Sequence, residues 1–369
     1  MQAIKKIRLG FFVLLLFACK QENKTSTDNI VMLTLTEKSF VERVNTSQFF
    51  TSVKCIPLST DDESLIGEIS KVVHHENYIY VSDRFALYRF TEDGLFSGKI
   101  DKRGNGPDEY LYISDFEIES TDKVWILCRS SQTLNQYSWS EALNKKIKFN
   151  FRAAKMHLIS SGKMCLYIGN ERDENNRHQV KVIDLNTENV LNNFPEIDGK
   201  KAKYLHVNSP FHFCKKEDGL CYFYNIFDDY IYSLSEERIT KLFQMNILGK
   251  NIPASFYDVE YADVSYFFQA LFLNNYAYGT VLFLESETMY LYSYYYKKQC
   301  HVALISKETN KSVADFTTLT EDIAELSTGE NIIGESDAEY QCFLFDRDSK
   351  VIIVVNLTLS SRPAHFSAG

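Results

Sequence analysis

Three groups of residues in this sequence carry side chains capable of chemistry. The first is Arg103-Gly104-Asn105-Gly106-Pro107-Asp108-Glu109-Tyr110. Gly104 and Gly106 permit positive φ, and Pro107 fixes its own φ near −65°. On a ligand-facing surface, the Arg103 guanidinium could fork to a carboxylate or sulfate, with Glu109 beside it and Tyr110 stacking on a sugar ring. The bland use of the same residues is a crossover between sheets, with Glu109 accepting backbone N–H groups and Tyr110 wedged between layers. No Gly-Lys-Ser/Thr follows and no helix opens there, so it is not a phosphate-cradling loop.

The second group is Met289-Tyr290-Leu291-Tyr292-Ser293-Tyr294-Tyr295-Tyr296-Lys297-Lys298. On a strand, Tyr290, Tyr292, Tyr294 and Tyr296 share one face. Such a row is a platform for carbohydrate or peptide, with Tyr292 and Tyr294 as the candidate contacts, or more commonly a packing ladder. The third group is the acids and histidines. None of the eight histidines falls in an HxH or HExxH spacing, so no local metal motif, and no cofactor, is expected. Asp83, Asp115 and Asp228 fall near strand ends and could converge on a common axis as metal ligands. No GxSxG elbow is present to favour Ser-His-Asp nucleophilic catalysis. The acidic runs Asp61-Asp62-Glu63 and Glu171-Arg172-Asp173-Glu174 read as solvated loop tips. The polar stretch from Asn170 to Arg177 is long enough to be an insertion on a binding face.

Seven cysteines beyond Cys19 are scattered and odd in number, without CxxC spacing, which excludes a zinc site or a full disulfide scaffold. Cys214 and Cys221 flank the turn-like Lys216-Glu217-Asp218-Gly219. They are either bridged across a hairpin or, as is commoner, two buried thiols serving as small hydrophobes.

The elements that must position these residues are short strands. Of 369 residues, 45% are apolar, 14% aromatic, 24% charged, with only 15 Gly and 6 Pro. That excludes disorder and collagen-like repeats and favours pleated sheets. A unit of Tyr78 to Asp83, Ala86 to Phe90, Asp93-Gly94 and Leu95 to Ile100 recurs in outline from residues 124, 164, 220 and 282. A period of 40–60 residues with about four short strands each is the pattern of propeller blades. Val351 to Val355 reads as a strand buried on both faces, and Val31 to Leu35 is the candidate to pair with it, closing the ring. Helix is expected only within Asn251 to Gln269 and Thr320 to Leu326. Ser360 to Gly369 has no strand pattern and is expected to fray. The expected architecture is an all-β, six-bladed propeller spanning residues 30–369.

Lys5, Lys6 and Arg8 precede an apolar run from Leu9 to Ala18. That is a secretory leader too short to span a bilayer of about 30 Å. Leu16-Phe17-Ala18-Cys19 resembles a bacterial lipobox, which makes residues 1–18 a removable peptide and Cys19 the acylated N-terminus anchored in the membrane. Residues 19–29 read as a flexible polar tether, and Lys20-Gln21-Glu22 loosely resembles export signals that carry such proteins to the cell surface. The chain carries a net charge of −9, and its first eighteen residues hold three positive charges and no negative one. Such an acidic chain excludes nucleic-acid binding by counterion release and leaves anchoring to the lipid.

Ile56-Pro57-Leu58, Ser64 to Ile69, Tyr78 to Asp83, Asp93-Gly94, the GxGPxEY segment at 104–110 and Asp115-Phe116 together resemble the six-bladed β-propeller lipoproteins of Gram-negative gut anaerobes, relatives of the NHL-type propellers. The similarity is clear over about residues 50–140 and fainter beyond. It implies a propeller fold and an outer-membrane address facing the periplasm or the cell surface, and no assigned activity. The chain departs from the family's usual ending after Val355. With aromatics but no organised catalytic set, the expectation is a module that binds an oligosaccharide, a peptide or an envelope protein. The alternative is a metal-assisted hydrolase or lyase of lactonase-like type at the channel mouth.

Overall fold

The computed structural model describes residues 30–48, 52–170, 176–202, 212–215, 221–320, 335–336, 341–346 and 351–356. The leader, Cys19, the tether, most of the 170–177 insertion, the Lys216–Gly219 turn, the helix expected after Thr320 and the C-terminal tail therefore lie outside the described residues.

Short, aromatic-rich runs fold into antiparallel four-stranded units. The first is Lys71–His75, Tyr78–Ser82, Leu87–Thr91 and Phe96–Ile100. The second is Asp115–Ser120, Lys123–Cys128, Thr133–Ser138 and Leu143–Lys148. The third is Lys155–Ser160, Lys163–Tyr167, His178–Asp184 and Val190–Glu196. Phe213–Lys215, Cys221–Tyr224, Tyr230–Leu234 and Ile239–Ile247 make the fourth. The fifth holds Tyr278–Glu285, Met289–Tyr296, Gln299–Ser306 and Lys311–Phe316. The start expected at residue 282 falls in the fifth unit's first strand, whereas the other starts fall at second strands. The expected repeat therefore runs one strand out of phase there.

Consecutive units pack face to face. Tyr80, Leu87 and Ile100 of the first meet Trp125 and Leu134 of the second in one buried cluster. Cys165, Tyr167 and Val182 of the third meet Phe213, Phe223 and Tyr232 of the fourth in another. Sheets stacked in sequence order, each burying both faces against its neighbours, are the arrangement of a β-propeller. Within each unit, the loop between second and third strands and the connection leaving the fourth strand lie at the same end. These loops form one face of the molecule, and that face positions the candidate sites.

Both chain ends contribute to a further sheet, but not with the expected N-terminal partner. Val351–Asn356 lies between Gln341–Asp346 and Ser52–Pro57, antiparallel to both. Val31–Leu35 instead runs parallel to Ile239–Ile247, from Val31 opposite Phe243 to Leu35 opposite Ile247, and touches the fifth unit where Thr34 faces Lys311. This strand joins the fourth and fifth units into one nine-stranded sheet. Leu33 and Leu35 face the core there while Val31 and Met32 stay exposed, and that one-sided pattern suits a strand laid over an outer edge. Among the described residues helix is confined to short pieces, notably Val264–Leu273, which overlaps the expected 251–269 region and runs past its end. No helix among the described residues is long and apolar enough to cross a membrane.

Candidate functional site

The Arg103–Tyr110 segment connects the first unit to the second. Tyr110 is buried, and its hydroxyl donates to the carbonyls of Phe85 (2.9 Å) and Ile100 (3.0 Å). Its ring meets Tyr137 edge-on at 5.9 Å, and burial raises its pKa far above the usual phenol range. Glu109 folds back to accept the Gly106 N–H at 2.6 Å. Lys146 and Tyr137 of the second unit donate to the carbonyls of Pro107 and Asp108, at 2.7 and 2.9 Å. Of the three candidate contacts Arg103, Glu109 and Tyr110, only Arg103 is exposed, its guanidinium 4.0 Å from the Phe85 ring centre. The segment is thus built as an inter-sheet crossover, and Tyr110 and Glu109 are committed to it. Neither glycine uses positive φ. Gly104 is needed for room, because a Cβ there would lie 1.8 Å from a Glu109 carboxylate oxygen.

Tyr292 and Tyr294 share a face as expected and stack at 5.6 Å, but both are fully buried. Tyr292 donates to the Gly279 carbonyl and Tyr294 to the Asp315 carboxylate, each at 2.6 Å. Their rings have no surface left for a ligand, so the row is a packing ladder rather than a platform. Cys214 stands opposite Tyr222 and Cys221 opposite Lys215, one residue out of step, so the two point to opposite faces and form no disulfide.

The three acids named as potential metal ligands do not meet. Asp83 accepts the N–H groups of Phe85, Ala86 and Gly67 and so ties its own loop. Asp115 joins a buried polar chain along the first strands of three units. Lys71 donates to Asp115 (3.1 Å), Glu117 (3.2 Å) and the Phe116 carbonyl, and Asp115 in turn accepts the Met156 N–H at 2.8 Å. A buried cation so satisfied is a structural tie between sheets. Among the described residues, no three His, Cys, Asp or Glu gather as metal ligands.

Asp228 lies elsewhere, in a cavity of about 340 Å³ on the loop face. Its walls come from the connection into the fourth unit (Asp198, Lys200, Lys201), from the 226–230 loop and from the segment 252–258. The last belongs to an excursion between the fourth and fifth units. There Asp263 caps the helix Val264–Leu273 by accepting the N–H groups of Ser265 and Tyr266. Phe267 and Leu271, one turn apart and fully buried, clamp that helix onto Phe227, Phe256 and Tyr257. Phe227 stacks on Tyr278 at 5.4 Å and 8°.

Polar groups are fixed around this aromatic wall. Asp228 accepts the Tyr232 hydroxyl at 2.7 Å and the Tyr230 N–H at 3.2 Å. Burial raises the Asp229 pKa, the charge of Asp228 adds to it, and a hydrogen bond from Asn251 and the charge of Lys201 oppose it. Lys200 bonds to Asp258, bracing the mouth. An apolar wall with a few fixed polar groups is the ordinary form of a small-ligand site. Sequence reasoning named Asp228 alone, for a different chemistry. The extra length between the fourth and fifth units, already read as a short helix, was the available signal for the rest.

Residues 34–352 match the family described as "Domain of unknown function (DUF4934)". The chain belongs to this family. No curated protein matches it. Among solved structures it is similar to a protein of Bacteroides fragilis NCTC 9343 described as exported, at 15% identity and a TM-score of 0.70, over 88% of this chain and 99% of that one. A DUF4221 family member from Bacteroides vulgatus is similar at 9% identity and a TM-score of 0.51, over 83% and 96%. A β-propeller domain of Myceliophteria thermophila Cps50 (Swd1) aligns at 8% identity with a TM-score of 0.44, over 83% and 98%. At such identities the likeness is one of fold.

Proposed function

We propose that this chain is a cell-envelope binding module: a six-bladed, NHL-like propeller, held to the outer membrane by lipid on Cys19, that takes an oligosaccharide, a peptide or part of an envelope protein into the 198–279 cavity. The observation that carries the reading is the cavity itself, an aromatic wall with pinned carboxylates on the face where the loops gather. The three-stranded sheet of Gln341–Asp346, Val351–Asn356 and Ser52–Pro57 serves as the sixth blade. The leader-like residues 1–18, the lipobox-like tetrad ending at Cys19, and the fold shared with a Bacteroides protein described as exported support the address.

The test is a glycan and peptide array probed with the purified protein and with Ala254→Trp. Ala254 lines the cavity and is exposed, so the indole fills the space without removing a buried contact. Ligands retained by the parent and lost by the variant support the reading; ligands bound equally by both refute it. Cys19→Ser is expected to leave the membrane fraction, and a variant that stays bound there refutes the anchor.

A further inference from the structure

An ammonium of the chain itself already sits against the cavity's aromatic wall. Lys201, on the short helix Gly199–Ala202, reaches inward so that its ammonium donates to the Phe227 carbonyl at 2.9 Å and lies 5.0 Å from the Tyr257 ring centre. An ammonium over a tyrosine face, with a carbonyl to accept one of its protons, is a recognised way to hold an amine. Its surroundings favour positive charge. Asp198, Asp228 and Asp229 line the cavity, while the second lysine, Lys200, is taken up by Asp258. Three carboxylates therefore share the cavity with Lys201, whose ammonium bonds a carbonyl. Burial raises the Asp229 pKa, a hydrogen bond from Asn251 opposes that, and the Asp228 charge adds to the rise while Lys201 counters it. Asp228 is fixed by Tyr232 and the Tyr230 N–H, so it does not move away to relieve the repulsion.

Resting on the binding reading above, we propose that the cavity recognises its ligand through a positively charged primary amine, which takes over the position that the Lys201 ammonium holds against Tyr257 and the Phe227 carbonyl. Lys201 is then an internal stand-in that fills the amine subsite until ligand arrives. The cavity, at about 340 Å³, has room for about one sugar residue or one amino-acid side chain with its backbone. The amine can accordingly come from an amino sugar or from a lysine-type group. Either source meets the same chemistry: an aromatic face, a carbonyl acceptor and excess carboxylate.

The experiment is titration calorimetry on the purified protein with two matched pairs of probes. One pair is methyl glucosaminide and its N-acetyl form; the other is lysinamide and its Nε-acetyl form. At least one free amine is expected to bind tenfold or more tightly than its acetylated counterpart, and the pair that does so identifies the source. Lys201→Met, which removes the competitor and keeps the aliphatic stem, is expected to tighten amine binding threefold or more. Ala254→Trp is expected to abolish it. Acetylated and free forms binding equally, with both lost in Ala254→Trp, would overturn the amine proposal and leave the binding module standing. Weaker amine binding by Lys201→Met would overturn it too, by making Lys201 a ligand-holding group. Amine binding that Ala254→Trp leaves intact would overturn both readings, and failure of both amines to bind would overturn this one.

Discussion

Replacing Gly104 by alanine tests the crossover at a single atom. The glycine's backbone lies outside the left-handed region, so φ is no obstacle, and the cost comes from the Glu109 carboxylate that occupies the Cβ position at 1.8 Å. Alanine must drive that carboxylate off the Gly106 N–H, which it now accepts at 2.6 Å. A hydrogen bond to a charged group contributes about 1.5–3 kcal/mol, and Glu109 is half-exposed, so the lower part of that range applies. Gly104→Ala alone should therefore cost about 1.5–2 kcal/mol, and Glu109→Ala alone a similar amount. In the double variant the space is open and the hydrogen bond already lost. The second methyl then costs nothing and even gains a few tenths of a kcal/mol from the less flexible unfolded chain. Equilibrium urea unfolding of the four proteins gives the coupling directly, with about 1.5 kcal/mol or more of non-additivity expected. If the two single costs simply add, or if Gly104→Ala costs nothing, Glu109 is not what requires glycine there.

Gly94→Ala is expected to be worse and to have no side-chain rescue. Gly94 has φ +80° and its Cβ would sit 2.0 Å from the Pro57 carbonyl oxygen, so about 2–3 kcal/mol should be lost in the same urea assay whatever happens to Ile56. His212 is buried, its Nδ1–H donates to the Tyr224 carbonyl (3.0 Å), it stacks on Tyr167 at 3.7 Å, and burial lowers its pKa to about 3. Its unfolded form binds a proton below about pH 6.5 that the folded form refuses until about pH 3. Stability from this group is thus complete above pH 6.5 and falls by up to about 1.4 kcal/mol per unit as pH drops toward 3. His212→Gln should show a shallower acid limb over that window, and identical slopes would refute the assignment. Deleting residues 346–369 removes Val351–Asn356 from between its two partners and should abolish a single cooperative melt. An unchanged melting curve would mean the sheet joining the chain's ends does not hold the ring together.

The sheets were legible because their signal is local. A short apolar run such as Tyr78–Ser82 or Lys123–Cys128, followed by a turn and a second run, marks a hairpin without reference to the rest of the chain. Partnership between distant strands carries no such mark. Val31–Leu35 and Ser52–Pro57 are both short strands ahead of the first unit, and hydrophobicity alone chose the former to pair with 351–355. What decides between them is edge geometry: the first is one-sided and laid parallel over an outer edge, the second completes an antiparallel sheet. The fifth unit slipped by one strand because Leu282 to Leu284 and Met289 to Tyr296 are equally strand-like, and nothing between them says which comes second.

The cavity was harder to read for a physical reason that also says where to look. Its walls come from four separated segments, so no spacing in the sequence brings Asp198, Asp228, Tyr257 and Tyr278 together. The tyrosine row and the GxGPxEY segment attracted notice because they are locally dense, yet density of that kind is what packing between sheets requires: Tyr110, Tyr292 and Tyr294 are all buried with their hydroxyls satisfied. A repeat constrains the residues that every unit needs, and those are the core. A site has to be built from what the units do not share. The widest sequence gaps between consecutive units among the first five are 197–212 and 248–277, and described residues of both supply walls of the cavity. In a chain of repeated sheets, departure from the repeat length is therefore a better guide to the binding face than any cluster of aromatic residues within it.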